Sequence, residues 1–293
     1  MGEDTMKNLI TILALIIFVT MSSGAQAQDW GAIGGSIFGG VTQMAQAAKE
    51  ITPSEEYYIG RAVAAMILEK SPLYQNAALT QYVNKVGLAV AYHSDRPVTY
   101  GGYHFGIVNS PEATAYAIPG GTVLVTTGLL KEVQNEDELA CILGHEVRHI
   151  VDRDGIKAIK KSRWTNFAFY AAGEAGKHYT PSEVSQLVGT FQSVVSDVAK
   201  QVIEKGYSKT DENEADNYGM RYAMNAGYDP GAMAEFIRHE IALGIGGNSG
   251  PFSSHPSPEQ RIKRVEGAIS SEGLTGTVQP VRTARFKRAT AGL

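Results

Sequence analysis

The sequence holds a single cysteine among 293 residues, so Cys141 has no partner within the chain and no intrachain disulfide can form. It has no surplus of basic charge: a formal net charge of −4 speaks against nucleic-acid binding, which leaves a strongly basic footprint. Long apolar runs are lacking too. The run Leu9 to Met21 falls short of the roughly 20 apolar residues a spanning helix needs, and no run between residues 156 and 205 reaches that length. There is no internal repeat, and the only biased segment is a glycine-rich stretch near the start. What remains is an ordinary globular composition, 43% hydrophobic and 19% charged, long enough for one large or two small domains.

The first 27 residues read as an export signal. Lys7 precedes the apolar run, and Ala25-Gln26-Ala27 offers a small-residue cleavage site. The rival reading is a retained membrane anchor, which the shortness of the run disfavours. Met1 to Thr5 adds acidic residues that a signal does not want, so Met6 competes with Met1 as the start. Export makes the protein periplasmic if the source is Gram-negative. Residues 28–48 form a glycine-rich arm, either a poorly ordered mature N-terminus or a peripheral contact with a membrane surface.

From Pro53 the pattern turns helical, with Ser54 as a cap and Tyr58, Ile59, Ala62, Val63, Met66 and Ile67 as an apolar stripe. A second helix is expected over about Gln75 to Tyr92. Short strands follow at Tyr103 to Val108, Ala115 to Ile118 and Thr122 to Thr126, the last two around the turn signal Pro119-Gly120-Gly121. Asn135 and Glu138 open a helix that Gly155 can end. Residues 156–205 read as one or two helices. Ser208 with Asp211 caps a helix to about Asn225, Asp229-Pro230 starts another, and a Gly/Ser/Pro loop over 244–256 leads to a helix from Ser257 to about Ile269. The last twenty residues are expected to be extended.

The chemistry concentrates in His145-Glu146-Val147-Arg148-His149. On a helix, residues four apart lie one above the other, so His145 and His149 present both imidazoles to one point. Two neutral imidazoles suit zinc, and Glu146 beside the first can act as general base on a water there. A hydrolytic zinc needs a third protein ligand. Glu212 and Asp216, four apart on a later helix, supply it: Glu212 as ligand, Asp216 orienting a histidine through its other ring nitrogen. The alternative for this acidic cluster, taken alone, is a solvated helix face.

Taken together these segments resemble the M48 family of zinc metallopeptidases, over roughly residues 54–269. The motifs are Ala115-Tyr-Ala-Ile-Pro-Gly-Gly121 with Val123 to Leu130, Glu138-Leu-Ala with His145-Glu-Val-Arg-His149, Tyr207-Ser-Lys with Glu212-Asn-Glu-Ala-Asp216, and His255-Pro256 with Arg261. The resemblance implies an α+β, mainly helical, zincin-like fold spanning residues 49–270. In such a fold the edge strand of a small β-sheet borders the active-site cleft, and a tail follows over 271–293. It implies one Zn2+ per chain on His145, His149 and Glu212, Glu146 as base and Asp216 behind the ligands. It further implies that Gly121, Thr122, Val123, Leu124 and Val125 belong to the edge strand that takes an extended peptide. His255 would be either an occluding fourth ligand or a helper at the oxyanion, with Arg261 assisting; the bland alternative is an exposed turn histidine. Polypeptides, above all unfolded or misassembled envelope proteins, are the implied substrates. The rival function is a latent, zinc-bound, chaperone-like binder. Three departures from the family pattern stand out: Thr114 where Asn is usual, Tyr116 for Phe, and Arg148 in place of a small residue.

Overall fold

The computed structural model describes residues 50–159, 181–242 and 257–293, with residues 181–187 described by backbone alone. The expected export signal, the glycine-rich arm and His255 lie outside the described residues.

Helix α1 (Pro53–Lys70) is capped by Thr52 rather than Ser54. The Thr52 hydroxyl accepts from the Glu55 N–H, and the Glu55 carboxylate accepts from the Thr52 N–H. Ile59, Val63 and Ile67 are buried, whereas Tyr58 and Met66, placed in the same stripe from sequence, are exposed. Helix α2 (Ala77–Tyr92) starts after the Asn76 cap. Three strands follow: β1 (His104–Val108), β2 (Ala115–Ile118) and β3 (Thr122–Thr126).

The sheet order is β1-β3-β2, with β3 parallel to β1 and antiparallel to β2. Strand alternation divides its side chains between two cores. Phe105, Ile107, Ala117, Val123 and Val125 join α2 and the later helices; Val108, Ile118 and Leu124 join α1 and a later segment carrying Val194, Val195 and Val198. The expectation that Gly121 to Val125 form an edge strand is therefore incorrect. His104 to Val108 pair with Thr122 to Thr126 on one side, and Ala115 to Ile118 cover the other. The free edge beside β3 belongs to β2.

After the short α3 (Thr127–Glu132), the central helix α4 (Glu136–Val151) is buried nearly all round. Leu139, Leu143, Val147 and Ile150 are at most 2% exposed, each worth about 1.5–3 kcal/mol of burial. Asn135 caps α4 by accepting from the Glu138 N–H, and Glu136, Asp137 and Glu138 complement its positive end. The helix stops at Val151, four residues before Gly155. Arg153 takes a left-handed φ of 59°, and a separate turn, α5 (Asp154–Lys157), follows.

Helix α6 (Pro181–Lys200) continues into a π-helical turn, Gln201–Lys205. Helix α7 (Lys209–Asn225) opens on the anticipated Ser208–Asp211 capping box. It crosses α4 with main chain against main chain: a Cβ on Gly144 would lie 2.3 Å from the Gly219 carbonyl oxygen, and one on Gly219 would lie 2.4 Å from the His145 nitrogen. Helices α8 (Ala232–Ala242), α9 (Pro258–Glu272) and α10 (Pro280–Thr290) complete the fold.

The extended tail expected at the end is corrected by α10. Phe286 is 3% exposed, Arg282 pairs with Asp137 at 2.7 Å, and Arg285 pairs with Glu136. Pro280 suits the first turn, and α4 supplies the buried acids that hold the helix's arginines. Among the described residues no helix is long and apolar enough to cross a membrane.

Candidate metal centre

Helix α4 brings His145 and His149 together as their spacing requires, with Nε2 atoms 3.1 Å apart and rings at 80°. The α4–α7 crossing carries Glu212 to the same point. Its Oε2 lies 3.4 Å from His145 Nε2 and its Oε1 lies 3.7 Å from His149 Nε2. One ligand atom from each residue falls within 4.8 Å of the others. All three residues are buried.

Each imidazole is held from behind. His145 Nδ1 lies 3.0 Å from Asp216 Oδ1, and His149 Nδ1 lies 2.8 Å from Asp154 Oδ2. A carboxylate on Nδ1 keeps a proton on that nitrogen and leaves the Nε2 lone pair facing the shared point. Two neutral nitrogens and a carboxylate oxygen are a tetrahedral metal's usual donors. Burial disfavours charge on His145, but Asp216 and Glu212 outweigh it and push its pKa up to about 10. The surrounding carboxylates thus hold positive charge at this point, as a site for a dication must.

Asp216 was anticipated; Asp154 was not. A continuous helix to Gly155 would swing residue 154 away from His149, because five residues advance about 500° at 3.6 residues per turn. The left-handed Arg153 breaks that rotation and returns Asp154 to the imidazole. Arg153 is itself pinned: its guanidinium lies 3.0 Å from Glu56 Oε2 and donates to the Ile51 carbonyl at 2.6 Å. The sequence signal was faint, an acid just past the second histidine.

Arg261, expected from sequence to assist His255, donates to Asp216 through two bonds of 2.8 and 2.7 Å. Burial acts against the Asp216 carboxylate, yet Arg261 and His145 hold its pKa well below the usual carboxylate range. Arg261 Nη1 lies 3.9 Å from Glu240, a buried carboxylate with one oxygen lacking a hydrogen-bond partner among the described residues. Burial pushes Glu240 up to about 7.

Glu146 is 7% exposed. Burial raises its pKa, partly opposed by His145 and His149 and by the Ala117 N–H that faces its carboxylate. Arg148 lies on another face of α4. It bonds Asp152 at 2.6 Å, Asp95 at 2.9 Å and Tyr222 at 3.1 Å, with its guanidinium 3.8 Å from the Tyr218 ring centre. The bulky charge at this motif position is spent on joining α4 to α7 and to the loop before β1.

Strand β2 presents its open edge to this centre. Thr114 is a hydrogen-bonded partner of Thr126, so by antiparallel alternation Ala115 and Ala117 turn their N–H and C=O groups outward. Tyr207, in the motif before Glu212, lies tilted against His149 at 4.1 Å between ring centres. Its hydroxyl donates to the Ala117 carbonyl at 3.3 Å.

A buried helix carrying two histidines and a glutamate, crossed by a second helix carrying a third ligand beside a small sheet, is the zincin arrangement. Peptidase family M48 matches residues 77–269, and the chain belongs to that family. It is 25% identical over 229 residues to the beta-barrel assembly-enhancing protease of Escherichia coli K12, covering 74% of this chain and 44% of that protein. It is 25% identical over 197 residues to metalloprotease LoiP of Escherichia coli K12, covering 67% of this chain and 71% of that protein. A mitochondrial metalloendopeptidase, OMA1 of Arabidopsis thaliana, is 31% identical over 173 residues, covering 57% of this chain and 32% of the relative. The chain thus spans under half the length of the first of these.

Proposed function

We propose that this protein is a zinc-dependent endopeptidase acting on polypeptides, with unfolded or misassembled envelope proteins as substrates. The observation that carries the reading is the convergence of His145, His149 and Glu212 on one buried point, with Glu146 next to the first ligand in a chain of the M48 family. One zinc ion would be held by His145 Nε2, His149 Nε2 and a Glu212 oxygen. When bound, it supplies a Lewis acid for the attacking water and the scissile carbonyl.

The chain's own groups do the rest. Glu146, its basicity raised by burial, takes the proton from the attacking water and returns it to the leaving amine. Asp216 and Asp154 hold the two imidazoles in one tautomer, and Arg261 holds Asp216. The peptide lies extended against β2, pairing with the outward groups of Ala115 and Ala117, in place of the β3 contact expected from sequence. The similarity to a beta-barrel assembly-enhancing protease supports substrates of the envelope. The N-terminal pattern expected to act as an export signal supports a location across the inner membrane.

Cleavage of unfolded casein by the purified protein with zinc, beside a Glu146→Gln variant, tests the reading. Wild-type cleavage with a silent variant that still binds zinc is the expected result. Equal cleavage by both would remove Glu146 from the mechanism.

A further inference from the structure

The edge of β2 is not bare at the point nearest the metal ligands. Ala117 turns both backbone groups outward, and its carbonyl accepts from the Tyr207 hydroxyl at 3.3 Å. That bond is long for an O–H···O contact, whose usual length is about 2.7–2.8 Å. The Tyr207 ring packs against His149 in a tilted contact, 4.1 Å between centres at 32°.

The backbone before it is equally specified. Gly206 has a positive φ of 66°, and its N–H closes the π-turn on the Gln201 carbonyl at 3.1 Å while Gln201 Nε2 donates back to the Gly206 carbonyl. π-turns recur at functional sites because they aim one side chain at the expense of regular bonding. Here the aimed side chain is Tyr207, set immediately before the Ser208 cap of the helix that carries Glu212.

We propose that Tyr207 stands in for substrate backbone: its hydroxyl occupies the Ala117 carbonyl that an incoming peptide N–H must take, so it sets how readily an extended chain adds to β2. The inference rests on β2 as the docking edge. An added strand gains affinity through backbone bonds, and each is worth little net because the partners were bonded beforehand. Where Tyr207 already satisfies the acceptor, the peptide exchanges one bond for another. With the hydroxyl deleted, the carbonyl of Ala117, a residue 4% exposed, lacks that donor until the peptide supplies one, and binding tightens. Tyr207 is thus a determinant of substrate selection: chains able to line up several backbone N–H groups at once displace it, and short or folded segments do not.

The test uses the full chain carrying Glu146→Gln, loaded with zinc, and a fluorescein-labelled casein peptide that the wild-type protein cleaves. Anisotropy titration compares this protein with the Glu146→Gln/Tyr207→Phe double variant. The expected result is tighter binding to the double variant by about three- to tenfold, the worth of one recovered hydrogen bond. N-methylation of the peptide at one backbone position should cancel the gain, and methylation elsewhere should leave it. Chelator competition should give the same zinc affinity for both proteins, since phenylalanine keeps the ring on His149. Equal or weaker peptide binding by the double variant overturns the inference while leaving the peptidase reading intact. A loss of zinc affinity beyond tenfold also overturns it, by making Tyr207 a prop of the metal ligand. Absence of any cleavage by wild type and of any peptide binding overturns the peptidase reading itself, and this inference with it.

Discussion

Replacing Asp154 with Asn separates metal binding from folding. Asp154 accepts from His149 Nδ1 at 2.8 Å and from Lys157 Nζ at 2.6 Å. Asparagine keeps an acceptor oxygen in place but removes the charge that strengthens the imidazole as a donor. Losing such a partner typically costs 10- to 100-fold in metal affinity, about 1.4–2.7 kcal/mol. Stability should change far less, because Lys157 is 58% exposed and returns to water when its partner is neutralised. A cost on the order of 1 kcal/mol is expected for the metal-free chain. The Asp216→Asn change is the instructive contrast. It strands the Arg261 guanidinium, 5% exposed, with the Glu240 carboxylate 3.9 Å away. Breaking a buried pair from one side costs about 3–5 kcal/mol, so this variant should lose zinc affinity and stability together. Chelator competition measures the first quantity and urea unfolding of the metal-free protein the second. If Asp154→Asn bound zinc within twofold of wild type, Asp154 would not set the orientation of His149, and the assignment of paired carboxylates would fail.

Three further outcomes follow from the same geometry. Phe286→Ala should destabilise the chain by about 3–5 kcal/mol in urea unfolding, because the ring is 3% exposed among the residues of the main core; an exposed tail would give no change. Burial raises the Glu240 carboxyl to about 7, so the folded chain keeps this proton over a range where an unfolded glutamate, with a pKa near about 4.3, has released it. Stability should therefore fall between about pH 4.3 and pH 7, by on the order of 3 kcal/mol, and Glu240→Gln should flatten that part of the profile. An unchanged profile in the variant would assign the slope to another group. For Asp216 the direction is opposite: its depressed pKa gives stability that is complete above the unfolded value and drains as pH falls through the folded one, so acid unfolding should begin at higher pH once Arg261→Met removes its partner.

Local patterns carried the site further than they carried the sheet. His145 and His149 were legible because a four-residue spacing on a helix leaves little freedom, and Ser208 with Asp211 announced the start of the helix that delivers Glu212. Asp154 was illegible because its position depends on the left-handed Arg153, and an arginine gives no hint of that conformation. Strand order was illegible for a different reason. Thr122 to Thr126 and Ala115 to Ile118 are both short and apolar, and neither run says which one is bordered on both sides. Helix α10 escaped notice because its apolar content is slight, with Val281 63% exposed and Phe286 buried, and its docking is written in Asp137 and Glu136 rather than in its own periodicity. His255 belongs to a segment outside the described residues, so its part in the centre stays an expectation from sequence.

The contact of Gly144 with Gly219 bears on how a metal ion held at this centre would be released. Main chain rests on main chain one residue from His145, and two turns of α7 separate Gly219 from Glu212. No side chain lies between the two backbones there to hop rotamers and open a gap, so the ligand triangle has little room to breathe while both helices remain formed. Escape of a bound ion would then be an event on the clock of whole-molecule opening rather than of local fraying, and the amide protons of α4 and α7 around this crossing should be among the last to exchange with solvent.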